Sequence, residues 1–315
     1  MLCFDKLKLL TSTKNLKEFD KKEFDLIIRN DGRQYYKYKK PIPYGLSLIT
    51  IDFEKDELII EFTSKISTLS FFNLINEDTI DECLYSIAPL VEFNAFVEDI
   101  LDEFEVVKCD VTTDVSYENI KKLELYVKSN LSNCNKWICE KWENGFVLKN
   151  NVITSKSKKR VVIYDKGKEL ERMKNKYLPF LKTVYDDGLT YNDFEGIVRI
   201  EHNIIGKKAI QKLLNISDAK LTSVLSSDAN PILTVLDEAL KEIPNNTCRI
   251  RSIKEYHCEL TLKDCDNDLG KVEAKMRSFY SKNTQIAKIM QPYRELHQRL
   301  QNTKEKAFDL RKLLE

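Results

Sequence analysis

Glycine and proline are scarce, eight and seven in a chain of 315 residues, which excludes collagen-like, linker-rich and low-complexity architectures. No fixed-period repeat is present, so solenoids and propellers are set aside. No apolar run approaches the ~20 residues needed to cross a bilayer. The opening stretch MLCFDKLKLL also lacks the apolar centre of a secretory leader. The expected location is therefore the cytoplasm, with no membrane partner. An excess of charge is missing too: 51 Lys plus Arg stand against 50 Asp plus Glu. Any affinity for nucleic acid must then come from local clusters rather than from the field of the whole chain. Histidine is rare, with only His202, His257 and His297, and no phosphate-binding G-x-x-x-x-G-K-[ST] loop occurs.

What is present is enough apolar content, 42%, to bury a substantial core. Eight cysteines in a large chain without an export signal are expected as reduced thiols. Cys134, Cys139, His257, Cys258 and Cys265 are spaced too loosely for a structural zinc knot.

The periodicities predict an α+β chain, an antiparallel sheet with flanking helices over 1–216 and a mainly helical region over 217–315. Residues 44–63 read as two β-rich runs joined by the charged turn Glu54, Lys55, Asp56. A helix is predicted over 78–102, broken near Pro89. Residues 106–115 form a strand, followed by a helix capped by Ser116 and running to about Ser132. A second hairpin pairs 145–153 with 159–166 through the basic loop SKSKK, and helix character continues to Pro179. Residues 196–204 make a further strand, and Lys207 to Leu214 a helix.

Three of these strands carry a polar stripe that a half-buried sheet does not require. Lys108, Asp110 and Asp114 share one, Arg160, Tyr164 and Lys166 a second, Arg199 and Glu201 a third. Side by side on one face, Asp110, Asp114 and Glu201 would surround Mg²⁺ or Mn²⁺, which prefer oxygen ligands. Tyr164 would stand beside that metal, with Lys166 favouring its phenolate. Lys108, Lys156, Lys158, Lys159, Arg160 and Arg199 would hold phosphates. On residue types alone the stripes are equally consistent with a solvated sheet face, and Tyr164 with ordinary strand packing. Tyr177, Tyr185 and Tyr191 are rival nucleophiles. His202 lies on the strand face opposite Glu201 and is expected in the core or at the edge.

The order of these segments resembles the gene II replication initiators of filamentous phages and related phage and plasmid replication proteins. The segments are KCDVTTDVSYENIKKLELYVKSNL, then SKKRVVIYDKGKELE, then GIVRIEHNIIGKKAIQKLLNIS. The resemblance covers roughly 100–216, is faint over the first hundred residues and weak beyond. It implies a rolling-circle initiator that nicks one strand at a replication origin, leaving a 3′-hydroxyl and a covalent 5′-phosphotyrosine. Tyr164 falls on the nucleophile, Asp110 and Glu201 on metal ligands, and Lys166 and Arg199 on the basic partners. Many rolling-circle nickases bind their metal through two histidines one residue apart, and no such pair exists here, so a carboxylate site is expected. The implied partners are origin DNA and a host helicase or single-strand-binding protein. A non-catalytic nucleic-acid module using the same face, with Tyr164 stacked on a base, is the alternative. In the C-terminal region two helices joined at Ser281 to Asn283 read as a packing pair or as a helix-turn-helix, with Lys271, Lys275, Arg277 and Lys282 as candidate DNA contacts.

Overall fold

A computed structural model describes residues 2–39, 45–67, 71–117, 119–151, 159–172, 194–241, 252–304 and 310–314. The fold is α+β. Ten strands form one antiparallel sheet in the order β3-β4-β5-β6-β1-β8-β12-β11-β10-β9. In chain order the strands of this sheet are β1 (Phe4–Thr11), β3 (Phe24–Ile28), β4 (Gln34–Tyr38), β5 (Leu46–Asp52), β6 (Glu57–Thr63), β8 (Glu105–Ser116), β9 (Trp137–Lys141), β10 (Gly145–Asn150), β11 (Arg160–Asp165) and β12 (Ile197–Ile205). The remaining two, β2 (Leu16–Phe19) and β7 (Val91–Phe93), pair with each other.

The predicted hairpin over 44–63 is β5 and β6, paired in antiparallel register through Asp52 and Glu57. Its turn is closed by Asp56 at φ 56°, a conformation that aspartate tolerates because its side chain bonds locally. The predicted helix over 78–102 is two short helices, α1 (Ile80–Tyr85) and α2 (Val97–Ile100), separated by β7. The cause is Phe93 and Val91, which pair with β2 instead of continuing a helical stripe. Ser116 ends β8 rather than capping the next helix. That helix, α3 (Ile120–Ser129), is capped by Asn119, whose side chain accepts from the Lys122 N–H at 3.0 Å.

One face of the central strands is apolar. Cys109 and Val111 on β8, Val161 and Ile163 on β11, and Val198, Ile200 and Ile204 on β12 are all buried, each such side chain contributing about 1.5–3 kcal/mol. His202 is on this face, 1% exposed, and its Nδ1 lies 2.8 Å from the Arg160 carbonyl. Helices α3, α5 (Lys207–Leu214), α6 (Leu221–Leu225) and α7 (Pro231–Ala239) pack on strands β8–β12. Helix α4 (Lys166–Arg172) follows β11 directly.

The chain divides into two compact units, Met1–Lys241 with Leu313–Glu315, and Glu242–Lys312. The division expected at 216 thus moves to 241. The segment between belongs to the sheet unit because α6 and α7 contact β8, β11 and β12, and Leu240 bridges to Leu131. In the second unit α8 (Ile253–Asp264), α9 (Leu269–Arg277) and α10 (Asn283–Lys304) bury Cys258, Leu262, Cys265, Val272, Ile286 and Met290 together. Cys258 and Cys265 are free thiols within that core. Lys271, Lys275 and Arg277 each pair with a carboxylate of their own unit, Asp266, Asp264 and Glu273.

Candidate functional site

Cross-strand register decides which side chains share a face. Tyr164 on β11 lies opposite Arg199 on β12, which lies opposite Asp114 on β8. One step along, Val162, Glu201 and Thr112 align, and beyond them Asn203 and Asp110. Directly opposed residues project to the same side, so Tyr164, Glu201, Asp110 and Asp114 all leave the sheet on its polar face. A cavity of about 660 Å³ opens there, walled by Tyr164, Glu201, Asp110, Asn203, Arg160 and Trp142 among others.

The Tyr164 hydroxyl donates to Glu201 Oε1 at 2.6 Å. Burial, followed by the adjacent Glu201 charge, lifts the phenol well above its usual pKa. The same burial, reinforced by Asp5, pushes the Glu201 carboxyl up to about 7. At neutral pH the pair is therefore a protonated phenol held by a carboxyl whose ionisation burial resists. Asp110 is also raised, by burial first, and accepts from the Asn203 side-chain amide.

Tyr164 reaches this position because β10 comes unusually close to β11. Gly145 lies directly across from Tyr164, and a Cβ there would meet the Ile163 carbonyl oxygen at 2.1 Å and the Tyr164 Cα at 2.7 Å. Only glycine fits that approach. Gly145→Ala is expected to destabilise the sheet unit by about 1–3 kcal/mol through overpacking and to displace Tyr164. Urea unfolding checks the first effect; a changed tyrosine hydroxyl environment by NMR checks the second.

Tyr164 shares its face with an ion cluster in which Arg199 and Asp114 are expected on the polar face and Asp5 is not. Arg199 is 0% exposed and forks onto Asp114, with Nε to Oδ1 and Nη2 to Oδ2 both at 2.7 Å. Its Nη1 donates to Asp5 Oδ1, also at 2.7 Å. Asp5 sits in a β-bulge: Phe4 opposes Val111 and Lys6 opposes Asp110, leaving Asp5 as the extra residue. Bulges re-aim side chains, and here Asp5 turns into the polar face, where it also accepts from Ser64 Oγ at 3.0 Å. Burial opposes its ionisation, but Lys65, Arg199 and Lys166 outweigh that and hold it well below the usual carboxylate range.

Two expected roles change as a result. Arg199 is a buried structural cation with both carboxylate partners in place, so it is not a phosphate contact. Asp114 has both oxygens committed to Arg199 and is withdrawn from the expected metal set. Among the described residues no three histidine, cysteine, aspartate or glutamate side chains converge as a metal site. Asp110 and Glu201 remain as carboxylates facing one cavity, both with raised pKa, and this is the donor chemistry a divalent cation would relieve.

Lys166 begins α4 rather than continuing β11, yet its Nζ lies 5.7 Å from the centre of the Tyr164 ring. It is 1% exposed and binds Glu169 at 2.9 Å. Its pKa is drawn down to about 8 by burial and then by Arg199 and Lys65, against the opposing pull of Glu169. Of the expected phosphate contacts, Lys108 pairs with Glu61 at 3.2 Å and Lys159 with Glu238, while Arg160 lines the cavity. Lys156 and Lys158 lie outside the described residues, as do the rival tyrosines Tyr177, Tyr185 and Tyr191.

No helix among the described residues is long and apolar enough to cross a membrane. No protein-family model matches the chain, and no curated protein or solved structure matches it.

Proposed function

We propose that the chain is a DNA nicking and joining enzyme in which Tyr164 attacks a phosphodiester and Glu201 takes its proton, acting as a rolling-circle replication initiator of a phage or plasmid. The observation that carries this reading is the 2.6 Å hydrogen bond from a strand tyrosine to a carboxylate at the wall of an open cavity. A nucleophile bonded to a base of matched geometry is the arrangement covalent catalysis needs. The resemblance of residues 100–216 to the gene II initiators supplies the substrate class, origin DNA.

The chemistry follows from the two pKa values. A phenol held above its ordinary pKa is not a phenolate at rest, so its proton must leave as the bond to phosphorus forms, and Glu201 at about 7 is placed to accept it. The Tyr164 Oη–P bond forms, the P–O3′ bond breaks, and the 3′-oxygen takes a proton from water. The phosphotyrosine ester conserves the energy of the broken bond, so the step reverses without a nucleotide cofactor. Mg²⁺ or Mn²⁺, where bound, would be held through Asp110, leaving Glu201 free to take the proton, and would neutralise charge growing on the phosphoryl oxygens. Tyr164 stacking on a base in a non-catalytic module has less support, because its hydroxyl is bonded to Glu201 and the Lys166 ammonium already lies over its ring.

The test is covalent capture. A pool of 3′-labelled random-sequence single strands incubated with the protein and Mn²⁺ or Mg²⁺ should give a label that migrates with protein on a denaturing gel and is freed by protease. Tyr164→Phe should abolish it while leaving DNA retention unchanged. Capture persisting in that variant moves the nucleophile elsewhere; retention with no adduct in the parent sinks the enzyme reading.

A further inference from the structure

Trp142 lies in the tight turn between β9 and β10, where its backbone N–H donates to the Gly145 carbonyl at 2.7 Å. The indole is 46% exposed and shares the cavity wall with Tyr164 and Glu201. The Arg160 guanidinium lies 5.0 Å from the centre of its ring. Among the described residues no carboxylate pairs with Arg160, in contrast to Lys108, Lys159 and Arg199. Arg172, on the same wall, is tied to Glu143 at 3.1 Å. The cavity wall thus carries an exposed aromatic side chain from the turn beside a cation from the start of β11. A solvent-exposed tryptophan in an otherwise short polar turn costs solubility without adding to the core.

We infer that Trp142 is a nucleobase platform and that Arg160 beside it holds the phosphate of the stacked nucleotide, so that this turn seats the strand next to Tyr164. The inference rests on the nicking reading for the identity of the strand, and it adds a binding subsite that the reaction itself does not require. Stacking on an indole is open to every base, since each has a π face. A guanidinium keeps its donor edge free while its own plane lies on the ring, so it binds phosphate and indole at once. A cavity of this size is in the range that accommodates a nucleotide-sized ligand.

The chain contains two tryptophans, and Trp137 is 1% exposed, so quenching by a ligand reports on Trp142. The probe is single-stranded dT12, and a series in which one abasic nucleotide is walked along it, titrated into the Tyr164→Phe protein with EDTA present to prevent cleavage. Tryptophan emission is expected to fall on binding. Trp142→Ala should weaken binding about tenfold or more, Trp142→Phe by no more than about threefold, and Arg160→Gln should reduce the salt dependence. One abasic position should reproduce the loss in the parent and add nothing to Trp142→Ala. Equal affinity of the Trp142→Ala and parent proteins, an abasic penalty undiminished in Trp142→Ala, or no dT12 binding at all would overturn the platform. The two proposals separate cleanly. Stacking without covalent capture by the unmutated protein defeats the nuclease and keeps the platform, whereas capture with Trp142→Ala unaffected does the reverse.

Discussion

Replacing Arg199 with methionine is expected to lower the stability of the sheet unit by about 3–5 kcal/mol, the cost of leaving buried charge without its partner. Asp5 and Asp114 face this one guanidinium, their side chains 14% and 25% exposed, so neither can recover its interaction from water in full. Methionine preserves most of the buried volume, which isolates the charge effect from a cavity effect. Adding Asp5→Asn should recover part of the loss, because it removes the more enclosed of the two carboxylates that lose Arg199, one that Lys65 and Lys166 offset only in part, and a double-mutant cycle by urea unfolding measures the coupling. The acid response should change in parallel. Asp5 has its folded pKa depressed, so it contributes stability above its ordinary value of 3.8 that is lost as pH falls below that point. Without Arg199 the depression shrinks and this acid-side loss weakens. An Arg199→Met protein as stable as the parent would mean that the cluster is already hydrated and that the sheet needs no fixed cation beneath Tyr164.

The polar stripes were legible because alternation on a strand is local. Arg199 and Glu201 had to leave β12 on the side opposite Ile200 wherever the strand was placed. Neighbouring strands were not local, and the roles of Arg199 and Asp114 turned on which residue stood opposite them. Asp5 shows the limit most directly. Its strand places Phe4, Leu7 and Leu9 in the core, intervals of three and then two, and the longer interval is the trace of the bulge that rotates Asp5 onto the polar face. In a strand of eight residues one such interval does not define a period. The helices over 221–225 and 231–239 carry the same apolar spacing as those beyond 252, so pattern alone could not divide them, and only their contacts with β8, β11 and β12 do. A strand of three residues such as β7 leaves no period in the sequence.

Glu201→Gln is expected to slow covalent capture by about 10²–10⁴-fold, the usual contribution of a general base, with single-strand retention unchanged. The amide oxygen can still accept from the Tyr164 hydroxyl, so the geometry is kept while the capacity to take a proton is removed. A stability measurement made with EDTA tests the same carboxyl independently of any reaction. Its folded pKa, about 7, lies above the ordinary 4.5, so between those values the unfolded chain has released a proton that the folded protein still holds. Stability must therefore fall as pH rises through that window, by on the order of 3 kcal/mol from this one group. Below pH 4.5 both states are protonated and this penalty is absent. Glutamine cannot ionise, so the variant should lack this decline and should be more stable than the parent at about pH 8 while matching it near pH 4. If parent and variant keep the same slope in urea unfolding across this range, Glu201 is already ionised in the folded protein. As a carboxylate of ordinary pKa it would be a weaker base toward the phenol, and the expected effect of Glu201→Gln on covalent capture would shrink accordingly.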